Sequence, residues 1–308
     1  MLKQKVMLLS HIGDPDGVTP VVYAKFVFKN LEYQLLDVSE VDENVKIALQ
    51  NEKYDEVHLV DLNISDALAE EVNNSKYKNK LKVFDHHISG IHLNKYPFIT
   101  VIDEENGRKE CGTSIYHKYL KKISDAKEIH TNAAEELTEI VRLVDTFDFK
   151  EEKDKEAKQI AMIFSIYGRE EYIKKYHRFL KTHTEFKYTP FDKKILAIES
   201  AKEERYIKQK EKEMFRIKLE GNKVGLVYAE RYRSELGNYL IEKYDDLDYI
   251  ILINISQRIS YRGKDRVDLS IISKKYGGGG HKNAAGSPLP SDILKQITEL
   301  IYKNVEWL

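Results

Sequence analysis

The chain has 308 residues, 33% of them charged, and a formal net charge of −1 at pH 7. This length is typical of about two domains. A near-neutral protein does not attract long nucleic acids by its overall charge, although a local basic groove stays compatible with it. Its single cysteine, Cys111, excludes an internal disulfide, favours an intracellular setting and is expected to be a bystander thiol.

The first half of the chain alternates between strand-like and helix-like segments. Such alternation predicts a largely parallel sheet with helices on both of its faces. Pro20 fits the first turn of the first helix, and Thr19 is the expected cap of that helix. Strands are predicted at 5–10, 32–38, 56–60 and 81–84, and helices at 20–30, 42–50 and 66–73.

Helices are predicted to dominate from Cys111 onward, at 112–120, 132–144 and 155–181. A long, highly charged segment follows at 192–218. We interpret it as a solvated connecting helix; alternatively, its basic residues form a wall beside an anionic substrate. After Gly221 a second α/β pattern begins, with strands predicted at 223–229, 249–255 and 267–272 and helices at 234–243 and 291–305.

These patterns predict an α/β protein of two domains. The N-terminal domain, with a parallel sheet, is placed at 1–190, a helical linker at 191–220 and a smaller C-terminal α/β domain at 221–308. No apolar run reaches the roughly 18 residues of a membrane span, and the N-terminal apolar run is too short for a signal peptide. We therefore expect a cytoplasmic protein.

Acids and histidines follow three of the predicted strands. Ligands of open α/β sheets bind at the carboxyl ends of strands, so these side chains are expected to share one site. Clustered carboxylates repel one another unless a cation lies between them. Mixed Asp and His donors without thiolates suit Mn, Fe, Co or Zn better than Ca. The residues are His11, Asp14 and Asp16 after the first strand, Asp61 after the third, and Asp85, His86 and His87 after the fourth.

Two of these motifs are also interpreted separately. The string Asp14-Pro15-Asp16-Gly17 alone fits an ordinary turn. His86 and His87 are adjacent, so their side chains diverge and both are not expected to bind one metal. We predict that one of them is a ligand and the other contacts substrate, with Asp85 orienting an imidazole.

A glycine run late in the chain is a candidate phosphate-binding loop. The segment 277–280 consists of four glycines and is followed by His281, Lys282 and a helix-like pair, Ala284-Ala285. Such a loop can present backbone N–H groups to a phosphate. A bare glycine run is usually only a flexible loop, but the whole string from Gly277 to Gly286 is a more specific signal than the glycines alone.

Together these motifs resemble those of DHH phosphoesterases with a C-terminal DHHA1 domain, over nearly the whole chain. The strings Ser10-His11 and Ser234–Asn238 are most similar to the nanoRNase B-like branch. The matching motifs are His11, Asp14 and Asp16 (first), Asp61 (second), Asp85-His86-His87 (third), Asp145 within Leu-Val-Asp-Thr (fourth) and Gly277–Gly286 (DHHA1 signature).

The resemblance implies a binuclear centre with two ions per chain, usually Mn²⁺, other divalent ions being the alternative. It implies a catalytic domain at the N-terminus, a substrate-binding domain at the C-terminus, and Asp61, His86 and His87 as catalytic residues. The implied ligands are His11, Asp14 and Asp61 for one ion and Asp16, Asp61, His86 and Asp145 for the other; the implied substrate contacts are His87, Arg262, Gly278, Gly279, Gly280 and His281.

The implied reaction is hydrolysis of short RNA or DNA oligonucleotides, linear dinucleotides included, to mononucleotides. Hydroxide generated at the two ions would attack phosphorus. A phosphatase activity on 3′-phosphoadenosine 5′-phosphate (pAp) is a further expectation. The alternatives are a RecJ-like single-strand exonuclease, an inorganic pyrophosphatase and a non-catalytic nucleotide sensor. No membrane partner is expected, and a homodimer stays open.

Overall fold

The computed structural model describes residues 1–146, 148, 154–256 and 258–301. The chain divides into two compact units, Met1–Leu196 and Ala197–Leu308. Each unit has its own sheet covered by helices, which confirms the predicted fold class. The functional boundaries at 190 and 220 stay predictions. Among the described residues, no helix is both long and apolar enough to cross a membrane.

A five-stranded parallel sheet forms the centre of the first unit. Its strand order is β2-β1-β3-β4-β5, so the order reverses between β1 and β3. Open α/β sheets bind ligands at such a switch point. The strands are β1 (Leu2–His11), β2 (Phe28–Leu36), β3 (Glu56–Val60), β4 (Leu81–Asp85) and β5 (Ile99–Val101), and a small separate hairpin follows as β6 (Glu104–Glu105) and β7 (Arg108–Lys109).

Different helices cover the two faces of this sheet. Side chains alternate along a strand, and in β1 Leu8 joins one core cluster while Leu9 joins the other. The Leu8 cluster contains residues of α1, α4, α5 and α6, and the Leu9 cluster contains residues of α2 and α3. These helices are α1 (Pro15–Val27), α2 (Val41–Gln50), α3 (Asp66–Asn73), α4 (Gly112–Ile123), α5 (Asn132–Thr146) and α6 (Asp154–Leu180).

The predicted start of the first helix, at Pro20 with Thr19 as cap, is wrong. Helix α1 begins at Pro15, and Asp14 caps it by accepting hydrogen bonds from the backbone N–H groups of Asp16 and Gly17. Pro20 lies inside the helix, where it cannot donate to the carbonyl of Asp16. Thr113 replaces the missing donor, because its Oγ1 donates to that carbonyl at 2.7 Å.

The second unit is built on a six-stranded mixed sheet with the order β12-β13-β11-β10-β9-β8. Only the β9–β10 pair is parallel among the pairings within this sheet's described strands. Helix α7 (Pro190–Lys212) begins in the first unit and continues into the second. The other elements of the second unit are β8 (Phe215–Leu219), β9 (Asn222–Tyr228), α8 (Arg233–Lys243), β10 (Tyr249–Asn254), β11 (Arg258–Gly263), α9 (Leu269–Lys275), β12 (Gly279–His281), β13 (Ala284–Pro288) and α10 (Ile293–Ile301).

Several predictions for this half of the chain need correction. The strand predicted at 267–272 is helix α9, which begins after Asp268, whose carboxylate accepts from the N–H of Ser270. The charged helix predicted at 192–218 ends at Lys212, and β8 follows it. The Ala284-Ala285 pair lies in strand β13, since it pairs with β11 and β12. Residues 302–305 of the last predicted helix lie outside the described residues.

A buried imidazole links strand β3 to helix α4. Nε2 of His58 lies 2.8 Å from a carboxylate oxygen of Glu56, and its Nδ1 lies 2.8 Å from the hydroxyl of Tyr116. Burial lowers the pKa of His58, so the neutral ring donates to Glu56 and accepts from Tyr116. The hydrogen bond with His58, assisted by Lys82 and opposed by burial, lowers the pKa of Glu56 to about 2.

We expect Glu56→Gln to destabilise the protein by about 1–2 kcal/mol at pH 7. The folded protein binds a proton at Glu56 less readily than the unfolded chain, whose pKa is 4.5. The stabilisation by the carboxylate is therefore present above about pH 4.5 and is lost as pH falls toward 2. Urea unfolding at pH 7, 5 and 3 should show a shrinking difference between the variant and the wild type.

The matched control is Glu71→Gln, which removes the same charge from an exposed ion pair with Lys46. Exposed pairs contribute roughly 0–1 kcal/mol, so this variant should stay close to the wild type. A loss of stability by Glu56→Gln that is the same at all three pH values would contradict the role assigned to Glu56.

Candidate metal centre

The loop after β1 brings two of the predicted ligands to the switch point of the sheet. His11 is the last residue of β1, and Asp14 caps α1. The helix can begin this close to the strand because residue 17 is glycine: a Cβ there would lie 2.1 Å from the backbone oxygen of His11. The carboxylate of Asp14 then lies 3.6 Å from Nδ1 of His11.

Asp61 occupies the centre of the cluster. It follows β3, is only 2% exposed, and has a φ of +58°, a left-handed conformation that Asp and Asn tolerate better than most residues. One carboxylate oxygen lies 3.3 Å from Nδ1 of His11, and the other lies 3.3 Å from Nε2 of His86. Asp61 therefore faces both halves of the cluster.

The other half of the cluster combines side chains from three elements. His86 follows β4, Asp16 lies in the first turn of α1, and Asp145 lies near the end of α5. Nε2 of His86 is 3.3 Å from a carboxylate oxygen of Asp145 and 3.9 Å from one of Asp16. The fold thus brings together residues that lie far apart in the sequence.

Asp16 is held in place by the beginning of helix α4. Its two carboxylate oxygens accept hydrogen bonds from the backbone N–H groups of Gly112, at 2.8 Å, and Thr113, at 2.7 Å. A helix N-terminus favours a negative charge. Burial and the charges of Asp61 and Asp145 nevertheless raise the pKa of Asp16 well above its usual range. The two α4 amides therefore do not offset the negative charge of the clustered carboxylates by themselves.

The pKa values in the cluster show that it attracts positive charge. Burial and the charge of Asp61 raise the pKa of Asp145 to about 6, although His86 opposes this. The neighbouring carboxylates of Asp14 and Asp61 raise the pKa of His11 to about 10. Burial lowers the pKa of His86, but Asp61 and Asp145 outweigh it and raise the value to about 10. A divalent cation would compete with these protons for the same atoms.

The donor atoms fit metal ions. In each of two sets of three residues, the donor atoms lie within 4.8 Å of one another. Asp61 also belongs to a third such set, with Asp85, His86 and His87. Nε2 of His86 and Oδ2 of Asp145 are buried and lie 3.3 Å apart, but neither atom forms a hydrogen bond of suitable geometry among the described residues. Buried polar atoms without a partner are rare and require an explanation. The two sets are His11 with Asp14 and Asp61, and Asp16 with His86 and Asp145.

Asp85 orients His87 rather than His86. The fully buried carboxylate of Asp85 lies 2.7 Å from Nδ1 of His87, and Nδ2 of Asn63 donates to its other oxygen at 2.8 Å. This contact leaves Nε2 of the half-exposed His87 ring to face outward. The hydrogen bond with Asp85 also raises the pKa of His87.

In the second unit, the predicted substrate contacts lie in or beside the edge strand β12 and in β11, the third strand from that edge. His281 on β12 is opposite Ala284 on β13, which is opposite Arg262 on β11. His281 and Arg262 therefore share a face of the sheet, roughly 10 Å apart at about 4.8 Å per strand. The N–H of Gly278 donates to the carbonyl of Ser273 in α9, so this amide is not free to bind a phosphate.

No protein-family model matches the chain. The chain is 34% identical over 295 residues to the oligoribonuclease NrnB of Bacillus subtilis (strain 168), an alignment covering 93% of this chain and 73% of the relative. The chain belongs to the family of the oligoribonuclease NrnB. This confirms the resemblance predicted from its motifs.

Solved structures place this NrnB-family chain in the DHH fold. The DHH domain of a member of the s1p family of ribosomal proteins is 15% identical, with a TM-score of 0.61 and coverage of 97% of this chain and 86% of that chain. A pGpG-specific phosphodiesterase from Vibrio cholerae is 14% identical, with a TM-score of 0.53 and coverage of 97% of both chains. At these identities the likeness shows the fold alone.

Sequence reasoning missed the residues that support the cluster of this NrnB-family protein. Gly112 approaches Asp61 so closely that a Cβ on it would lie 2.6 Å from that of Asp61. Thr113 supports both the carboxylate and the carbonyl of Asp16. Asn63 follows Asp61 by two positions, so its place at the same strand end is a signal that could have identified it. Nothing in the sequence links residues 112 and 113 to Asp16.

Proposed function

We propose that this NrnB-family protein hydrolyses phosphodiester bonds in short oligonucleotides, linear dinucleotides included, and releases mononucleotides. The observation that carries the proposal is the pair of donor sets that meet at Asp61, in a chain 34% identical to an oligoribonuclease. Two adjacent cations are the usual means of stabilising the attacking and leaving oxygens in phosphoryl transfer.

Each donor set would hold one divalent ion, and two Mn²⁺ ions per chain are our proposed cofactor. When bound, the ions supply Lewis acidity toward phosphoryl oxygens and make a water molecule acidic enough to act as a nucleophile at neutral pH. The proposed ligands are His11, Asp14 and Asp61 for one ion and Asp16, Asp61, His86 and Asp145 for the other.

The protein's own residues fix the geometry of this site. Asp61 presents one oxygen toward His11 and the other toward His86, so it sets the spacing of the two donor sets. Its backbone conformation and the close approach of Gly112 restrict its movement. The carboxylate of Asp16 is held by two amides of α4. A site held this rigidly needs little reorganisation during the reaction.

His87 is the proposed contact with the phosphate that is cleaved. Asp85 accepts from its Nδ1–H, so Nε2 carries a proton only when the ring is protonated; in that form the Nε2–H can donate a hydrogen bond to a phosphoryl oxygen. A protonated ring would also neutralise the charge that develops on the equatorial oxygens. The same proton, if given to the leaving oxygen, would convert it to a hydroxyl and leave the ring neutral.

The C-terminal unit would bind the remainder of the substrate. We propose Arg262 as a phosphate contact and His281, with Gly278, Gly279 and Gly280, as neighbours of the bound nucleotide. In functional terms, residues 1–190 form the catalytic domain, 191–220 the linker and 221–308 the substrate-binding domain.

The test is Mn²⁺-dependent hydrolysis of end-labelled RNAs of two, five and twenty-four nucleotides, with DNA of the same lengths and pAp alongside. Rapid cleavage of the two short RNAs, with the long strand nearly intact, is the expected result. Preference for the long strand would favour a RecJ-like exonuclease instead. No turnover of any substrate, with metal bound to the protein, would favour a nucleotide sensor.

A further inference from the structure

Helix α6 contains a break beside an arginine that contacts the loop 11–14. Gly168 has a φ of +68° and a ψ of 174°, a conformation that is essentially restricted to glycine. The helix is therefore interrupted there, and Arg169 is the first residue of its second half. Nε of Arg169 donates a hydrogen bond to the carbonyl of Ile12 at 2.7 Å. Ile12 lies between the proposed ligands His11 and Asp14.

The second half of α6 is a fixed support for this arginine. Tyr172 is fully buried, and its hydroxyl lies 3.0 Å from that of Thr19 in α1. The carboxylate of Glu170 accepts a hydrogen bond from the hydroxyl of Tyr33 in β2 at 2.8 Å. These contacts fix the second half of α6 to the helix that follows the loop 11–14 and to the strand beside β1. The guanidinium of Arg169 is therefore presented to that loop from a packed element.

The backbone of Ile12 is held from two sides. Its N–H donates to the carbonyl of Leu36, the last residue of β2, at 3.0 Å, while its carbonyl accepts the hydrogen bond from α6. Gly13 follows, and its backbone lies against the imidazole of His11: a Cβ at Gly13 would be 2.6 Å from Cε1 of that ring. The position of Gly13 thus restricts the orientation of the ring, whose Nδ1 faces the carboxylates of the first donor set.

We propose that Arg169 is a positioning residue of the metal centre. Its hydrogen bond to Ile12 holds the loop 11–14 in the conformation that directs Nδ1 of His11 toward the first ion. This inference rests on the proposed function and adds a residue to its metal site. Replacing a partner that orients a metal ligand typically weakens metal affinity or activity by about 10- to 100-fold.

Two substitutions separate the hydrogen bond of Arg169 from its charge. In Arg169→Met a methyl group takes the place of Nε, so both the donor and the charge are lost. In Arg169→Gln the amide nitrogen takes the same place along the side chain, so an N–H donor stays and only the charge is lost. Arg169 is exposed, so neither variant is expected to prevent folding. The matched control is Arg178→Met, which removes an exposed arginine from the last turn of the same helix.

Mn²⁺ binding to the full-length protein is measured directly, with the EPR signal of free Mn²⁺ as the readout. Arg169→Met should weaken the binding of one of the two ions by about 10-fold or more and change that of the other by less than about threefold. Arg169→Gln should recover most of the lost affinity, and Arg178→Met should bind both ions like the wild type. Hydrolysis of a dinucleotide by Arg169→Met should require correspondingly more Mn²⁺ for its half-maximal rate, with a nearly unchanged rate at saturating Mn²⁺. A loss of fold would lower the saturating rate instead.

Equal Mn²⁺ affinities of Arg169→Met and the wild type would overturn the inference. Equal losses in Arg169→Met and Arg169→Gln would also overturn it, because the charge and not the hydrogen bond would then be responsible. A wild type that hydrolyses no dinucleotide contradicts the proposed function, whereas the role of Arg169 is still decided by Mn²⁺ binding. A wild type that binds no Mn²⁺ overturns both.

Discussion

Asp61→Asn is expected to reduce the hydrolysis of a dinucleotide by about 1,000-fold or more. Removing a group that only orients a metal ligand typically costs about 10- to 100-fold. Asp61 lies 3.3 Å from both His11 and His86, so its charge serves both donor sets at once. Asparagine keeps the size of the side chain and tolerates the φ of +58°. The loss should therefore arise from the site and not from unfolding.

Initial rates with Mn²⁺, the metal content of the purified protein and the circular dichroism spectrum test this expectation together. Asp66→Asn serves as the matched control, because it removes the same charge from an exposed position in the first turn of α3. The control should have wild-type rates. Substantial turnover by Asp61→Asn, with a wild-type metal content, would show that Asp61 does not hold the ions.

Gly17→Ala should have the largest effect on stability, about 3 kcal/mol or more. The added Cβ would lie 2.1 Å from the backbone oxygen of His11 and 2.6 Å from its carbonyl carbon. Both atoms belong to the backbone, so no side-chain rotation relieves the clash. Helix α1 would have to move away from β1, and Ser10, whose hydroxyl donates to the carbonyl of Gly17, would lose that contact.

Urea unfolding of the wild type and the variant measures this loss. A second readout is the rise in melting temperature expected on adding Mn²⁺, which should shrink because Asp14 caps α1 and Asp16 lies in its first turn. Gly279→Ala is the control for stability, since a Cβ at Gly279 meets no atom within 4 Å. If both glycine variants unfold at the same urea concentration as the wild type, the close approach of α1 and β1 is wrong.

Strands β3 and β4 of the first unit were predictable because they are almost wholly buried and form short apolar runs. Strand β2, which is largely exposed, begins four residues before the predicted start, and β5 was not predicted. Strand β3 and helix α3 have the bounds that the sequence predicts. The start of α1 was not predictable, because Pro20 is typical of a first turn. It is tolerated inside the helix since Thr113, remote in sequence, satisfies the carbonyl of Asp16.

The second unit was harder because its elements are short. The segment 267–272 contains alternating apolar residues, and so short a run does not distinguish a strand from a helix. Strand β8 was missed since its side chains are mostly exposed, and its charged residues continue the pattern of α7. Glycine-rich β12 has almost no side chains to produce a pattern.

The grouping of the acids and histidines followed from a general rule about strand ends, which needs no knowledge of loops. The rule does not reach Asp145, which lies near the end of helix α5 and was assigned only through the family motif. Nor does it reach Arg169, because its contact with Ile12 depends on how the second half of α6 packs on α1. Contacts between separate elements are decided by tertiary packing.

The order of the donor atoms along the chain has a consequence for biosynthesis. His11, Asp14 and Asp61 emerge from the ribosome early, whereas Asp145 and the α4 amides that hold Asp16 emerge later. The donors of one set are therefore all synthesised before those of the other, but Asp61 is restricted by Gly112 only once α4 has been made. Because bound metal ions would contribute to the folding free energy, they would stabilise the cluster only after residues up to Asp145 have been synthesised.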